Sequence, residues 1–173
     1  TELDLLGNDG RIFSYRANAA LHFKVTDKIE AIGAWYYGNG NLIRTAGFRE
    51  YFPDLKRNQF KLELRGDEFF VRAYRTNQEA EGYNLGVLAQ RILASWKPTN
   101  TWAADFATAY SGDMTAARNA ADAGKPQPGT AAFDAIRDKL INTLNNTRIE
   151  GSTTLNGVRL LDNSSFTHTE GSY

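Results

Sequence analysis

Between Phe13 and Val25 the chain alternates apolar and polar side chains almost without interruption. Phe13, Tyr15, Ala17, Ala19, Leu21, Phe23 and Val25 share one parity; Ser14, Arg16, Asn18, Ala20, His22 and Lys24 share the other. A period of two belongs to a β-strand with one apolar and one wet face. Its length is unusual: at roughly 3.3 Å per residue the stretch extends about 43 Å, whereas ordinary strands have about 5–6 residues. Tilted near 45°, such a strand rises roughly 30 Å, the thickness of a bilayer's hydrocarbon core. A long strand of a soluble sandwich has the same pattern, so this segment alone leaves both architectures open.

The rest of the composition narrows the choice. Twenty basic and twenty acidic side chains balance, which argues against a nucleic-acid binder drawing its affinity from neutralised phosphates. The chain has no cysteine, so it carries neither a disulfide framework nor thiolate metal ligands. No apolar run reaches the eighteen or so residues of a membrane helix. Membrane barrels remain open, because their strands are only half apolar. Thr1-Glu2-Leu3-Asp4 has none of the regions of a signal peptide and reads as a mid-protein loop.

After the turn Thr26-Asp27-Lys28, alternation resumes: Ile29, Ala31, Gly33, Trp35 and Tyr37 against Glu30, Ile32, Ala34 and Tyr36, completing a hairpin. Gly38-Asn39-Gly40 then opens an expected polar connection that runs to Arg57 and contains Pro53. A second hairpin follows, with Phe60, Leu62 and Leu64 alternating with Lys61, Glu63 and Arg65, a turn at Gly66-Asp67-Glu68, and Phe69, Val71 and Ala73 alternating with Phe70, Arg72 and Tyr74. Tight turns at one end and a long connection at the other match the rim asymmetry of outer-membrane barrels. From Asn77 to Asn163 the period turns helical. Leu85, Leu88, Ile92 and Trp96 form one stripe, Trp102, Phe106, Tyr110 and Met114 a second, and Phe133, Ile136, Leu140 and Leu144 a third. A short hairpin is expected over Thr153–Leu161, turning at Asn156-Gly157. Alternation returns at Phe166, His168, Glu170 and Ser172, and the strand is still running at Tyr173.

Phe69-Phe70-Val71-Arg72-Ala73-Tyr74-Arg75-Thr76, then Glu79 and Gly82-Tyr83-Asn84, resembles the element in which a strand of a TonB-dependent outer-membrane receptor of the Bacteroidota type leaves the membrane for an extracellular loop. Leu62-Glu63-Leu64-Arg65-Gly66-Asp67, Pro128-Gly129-Thr130-Ala131-Ala132-Phe133 and His168-Thr169-Glu170-Gly171-Ser172-Tyr173 are similar to further landmarks of that family in the same order. Receptors of this kind have a plug and a barrel of about 22 strands, whereas roughly five strands are legible here and no plug is. The resemblance therefore implies a partial barrel segment. Its expected organisation is strands and turns in residues 1–76, a partly helical extracellular loop in 77–163, and the start of another strand in 164–173. It also implies active nutrient import, energy coupling to the TonB complex through a plug outside this chain, contact with outer-membrane lipid, and a surface lipoprotein as a further partner.

The fold class expected is mainly β, an antiparallel transmembrane barrel segment. Arg16, Asn18, His22, Lys24, Glu30, Lys61, Glu63, Arg65 and Arg72 are the candidates for the lumen face, and their mixed sign predicts no strong ion selectivity. Phe13, Tyr15, Leu21, Phe23, Trp35, Phe60, Leu62, Leu64 and Phe69 are the candidates for the lipid face, with Trp35, Tyr36 and Tyr37 as an aromatic girdle. Of the two histidines, neither His22 nor His168 neighbours a nucleophile motif, so no catalytic residue, metal site or cofactor is expected. His168 and Glu170 share a strand face, but two ligands do not complete a metal site. Two alternatives share much of this pattern: a passive porin-like barrel, and a soluble β-rich module holding carbohydrate through Trp35 or Trp102.

Overall fold

The structure, a computed structural model, describes residues 2–7 and 10–173. The chain divides into two compact units, one built from residues 11–44, 51–82 and 161–173, the other from 1–10, 45–50 and 83–160.

The first unit carries an antiparallel sheet of five strands in sequential order, β1 (Ser14–Thr26), β2 (Ile29–Ala46), β3 (Phe48–Arg65), β4 (Phe70–Asn84) and β5 (Arg159–Ser172). It is open: β1 and β5 are its edges, and it does not close into a barrel. The β1–β2 register pairs Leu21 with Gly33, Ala19 with Trp35 and Ala17 with Tyr37, so the apolar parities of both strands share a face. At Val25 a bulge interrupts the alternation, because Lys24 pairs with Glu30 and Thr26 with Ile29. Only Asp27 and Lys28 separate the two strands.

The expected polar connection from Asn41 to Arg57 does not exist as a loop. β2 and β3 are each 18 residues long and meet at Gly47, whose φ of 81° needs no Cβ. Gly40, which reads as a turn residue, serves close approach instead. A Cβ on Gly40 would lie 2.5 Å from the Phe13 carbonyl oxygen. Pro53 sits inside β3, where the strand gives up one amide donor. Asn41 completes this corner: its backbone N–H donates to the Phe13 carbonyl at 3.1 Å, its side-chain oxygen accepts from Phe13 N–H at 2.8 Å, and its amide donates to the Arg11 carbonyl at 2.7 Å. β4 also outruns the expected boundary at residue 76 by continuing to Asn84, and β5 begins at Arg159.

The second unit holds α1 (Glu2–Leu6), α2 (Leu85–Trp96), α3 (Thr99–Ala109), α4 (Met114–Ala121) and α5 (Ala131–Ile141). Three starts are capped by side chains: Asn84 accepts from Val87 N–H, Asp113 from Thr115 and Ala116 N–H, and Thr130 from Phe133 N–H. The first stripe coincides with α2. The second is divided between α3 and α4, because Gly112 adopts φ 101° and Asp113 begins a new helix. Leu144 falls beyond α5. α2 packs on α1 and α5, and α3 on α4. Leu85, Leu88, Ile92, Phe133, Leu140 and Val158 form the buried centre. Tyr83 donates its hydroxyl to the Leu5 and Leu6 carbonyls at 3.1 and 3.3 Å, satisfying the end of α1.

The expected hairpin over Thr153–Leu161 is absent; instead Arg148 bridges Asn156, and Leu144 bridges Arg159. Gly157 N–H donates to the Thr147 carbonyl at 3.0 Å, and a Cβ on Gly157 would collide with Thr143. This glycine is required by packing, not by a turn. Among the described residues no helix is long and apolar enough to cross a membrane.

Gly82 provides a direct test of the close packing between strands. Its missing Cβ would lie 2.5 Å from the Phe52 ring and 2.6 Å from the Tyr51 carbonyl oxygen. Gly82→Ala is expected to lower stability by about 1–3 kcal/mol, read as a shifted urea unfolding midpoint of the refolded chain; an unchanged midpoint would refute the packing role.

Candidate functional site: a two-faced sheet

The candidate lumen residues gather on one sheet face in charge-compensated groups. His22 Nδ1 lies 2.9 Å from Glu30 Oε1, and Arg65 Nη2 lies 2.7 Å from Glu30 Oε2. Lys61 Nζ is 2.6 Å from Glu63 Oε2. Arg72 pairs with Glu170, and its guanidinium lies 4.8 Å from the Phe70 ring centre and 5.7 Å from that of Tyr74. Arg16, Asn18 and Lys24 stand exposed on β1. The same face buries Ile32, Ala34 and Glu63. His168 Nε2 reaches only 4.0 Å from Glu170 Oε2, and no cluster of three or more metal-ligating groups occurs among the described residues.

The opposite face is apolar and uncovered. Leu21 is 82% exposed, Leu62 70% and Phe23 69%; Phe13, Tyr15, Trp35, Phe60 and Leu64 are exposed as well. Phe69 departs from this group, because it lies in the β3–β4 turn, half-buried, with its ring against Gly66. The aromatic girdle also divides. Tyr15, Trp35 and Tyr37 form a cluster with ring centres 5.9 Å apart on the apolar side. Tyr36 has the other parity and borders a shallow groove of about 640 Å³ whose walls include Arg16, Gly38, Arg57 and Gln59. Arg57 donates to Gln78 at 2.6 Å and Gln59 to Thr76 at 3.0 Å. Sequence reasoning missed this groove because it treated residues 38–57 as a loop. Local pattern gave no signal for it, because Lys56, Arg57, Asn58 and Gln59 are four polar residues in a row.

A second concavity, of about 890 Å³, lies within the helical unit among α2, α3 and α4. Trp102, from the second aromatic stripe, stacks on Phe106 at 5.5 Å and donates its indole N–H to Asp122 Oδ1 at 2.8 Å. That hydrogen bond, reinforced by the Lys125 and Arg118 charges, holds the Asp122 carboxyl below its ordinary value of 3.8.

Comparison with protein-family models, with curated proteins and with solved structures finds no match for the chain. The class defined by the fold is therefore an open, mainly β protein with one apolar face, one charged face and a helical unit between its last two strands.

Two measurements test this electrostatic account. Glu63 is buried and has Lys61 as its ion partner, so Lys61→Met is expected to cost about 3 kcal/mol by stranding the carboxylate. Lys61→Met with Glu63→Leu is expected to recover most of that loss; equal urea midpoints for the single and double variants would contradict it. Asp122 has a folded pKa below its unfolded one. Its contribution is thus complete above the ordinary aspartate range and is lost as pH falls through the depressed folded value. The thermal midpoint of the helical unit, followed by circular dichroism, is expected to fall more steeply in acid for the wild type than for Asp122→Asn.

Proposed function

We infer that the chain is part of an outer-membrane transporter of the TonB-dependent type, with the sheet as barrel wall and residues 85–158 as the partly helical connection between two of its strands. One observation supports this reading most: the sheet buries Ile32, Ala34 and Glu63 on its charged face while leaving Leu21, Phe23 and Leu62 exposed on the apolar one. A soluble sheet does the reverse, packing its apolar face against a second layer. A lipid-facing barrel wall requires the observed arrangement. Strands of 13–18 residues supply the length, and Tyr15, Trp35 and Tyr37 supply an interfacial aromatic cluster. The unpaired edges of β1 and β5 would be satisfied by further strands of a closed barrel.

The importer takes up a nutrient bound by extracellular loops and passes it along the charged face when the plug moves. The ion pairs of that face neutralise Lys61, Arg65 and Arg72 and leave the exposed Arg16 and Lys24 as its excess charge. The plug, the TonB contact and a lipoprotein partner complete the reading from the sequence resemblance.

Spin labels on cysteines introduced singly at Leu21, Leu62, His22 and Lys61 in the membrane-inserted protein test the wall. The Leu21 and Leu62 labels are expected to collide with dissolved oxygen, and the His22 and Lys61 labels with a water-soluble nickel chelate. Equal access of both faces to the chelate would overturn the reading. Leu62→Arg is expected to destabilise the inserted state by about 2–4 kcal/mol if that residue lies near the midplane. In planar bilayers, a plugged importer is expected to show no steady conductance; an ohmic channel would identify a porin instead.

A further inference from the structure

We propose that the groove among α2, α3 and α4 binds a small amphipathic organic anion, a carboxylate or sulfonate carried on a flat aromatic body. This assignment does not depend on the barrel reading, because the groove lies wholly within the helical unit. Its size falls in the range of small-molecule sites, about 300–1,000 Å³. Trp96, Trp102 and Phe106 line it, and Leu93 and Met114 stand at it 44% and 67% exposed. An unbranched thioether adapts to a planar body more readily than a branched side chain does.

The polar side chains choose the sign of the ligand. Lys97 is already satisfied, donating to Asp105 at 2.7 Å and to the Ala121 carbonyl at 2.8 Å. Asp122 accepts from Trp102 and faces Lys125 at 3.7 Å. Arg118 also lines the groove; its charge acts on Asp122, but among the described residues its guanidinium makes no hydrogen bond and no close ion pair. The site thus sets the cations Lys97, Arg118 and Lys125 against the carboxylates Asp105 and Asp122, leaving one positive charge over. A guanidinium whose N–H groups have no hydrogen-bond acceptor offers a forked donor to a carboxylate or sulfonate. The rings agree with this sign: Trp102 stacks on Phe106, and Lys97 Nζ lies 4.9 Å from the Trp96 ring centre, so a ring of the groove already holds a cation.

The probes are 2-naphthylacetate and its neutral amide, 2-naphthylacetamide, titrated into the full-length native protein by calorimetry and by quenching of tryptophan fluorescence. The acid is expected to bind saturably and about fivefold more tightly than the amide, a preference of the size a partly exposed ion pair supplies. Arg118→Gln is expected to remove that preference while leaving amide binding intact. Met114→Glu is expected to weaken both probes, with near-ultraviolet circular dichroism of the aromatic stack confirming that each variant is folded. Equal affinity for acid and amide in the wild type, or saturable binding unchanged by both substitutions, would overturn the proposal. Absence of probe binding, together with cross-linking from Met114→Cys to another protein, would equally overturn it and make the groove a protein-docking surface.

Discussion

Everything in the sheet follows from which of its faces is left open. Fully burying a large aliphatic or aromatic side chain is worth about 1.5–3 kcal/mol, so leaving Leu21, Phe23, Leu62 and their neighbours in water forgoes on the order of 10 kcal/mol. That equals the whole stability of a typical domain, roughly 5–15 kcal/mol. The charged face, by contrast, already has internal partners in the pairs Glu30–Arg65, Lys61–Glu63 and Arg72–Glu170. A sheet arranged this way is at home where the medium beside its apolar face is itself apolar. The edges impose a second condition: in such a medium the N–H and C=O groups on β1 and β5 must find further strands to pair with.

The charged face has its own logic. Long side chains of opposite sign lie across neighbouring strands, so Ile32 and Ala34 are buried beneath a charged surface rather than within an apolar core. Pairing also constrains the wall. An arginine held by a carboxylate keeps a fixed reach into the space it faces, whereas the exposed Arg16 and Lys24 on β1 have no such restraint. Tyr36, flanked along β2 by Ala34 and Gly38, is an aromatic ring on this side with small neighbours.

Legibility from sequence followed the range of the interactions. Alternation in β1 and the first part of β2 is a local signal and gave the sheet faces directly. The α2 stripe was equally plain, stopping before Pro98; the Asn84 cap at its start emerged only in the structure. Residues 38–57 misled because Gly40 and Pro53 normally punctuate strands. Their roles here depend on residues distant in sequence, above all the Phe13 carbonyl that Gly40 lets approach and that Asn41 binds. Asn156-Gly157 failed for the same reason: a turn dipeptide by local rules, it is required to be small by Thr143. The break between α3 and α4 was readable, since Gly112 followed by Asp113 is a stop and a cap in succession, but the aromatic spacing across it continued and concealed it. The groove beside Tyr36 was lost together with the strands that form it.

The two units therefore make opposite demands on their surroundings. The helical unit buries Leu85, Leu88, Ile92, Phe133 and Leu140 among themselves and caps its helices with neighbouring side chains, so its own residues provide its core. Its α3 and α4 pack as neighbours in sequence, whereas α2 packs on α1 and α5, which are distant from it along the chain. The sheet has no comparable centre: its buried residues are few, its apolar face awaits a cover, and its ladder depends on partners at both edges. The sheet's stability therefore depends on what adjoins its apolar face and its edges, whereas the helical unit's core is supplied by its own residues.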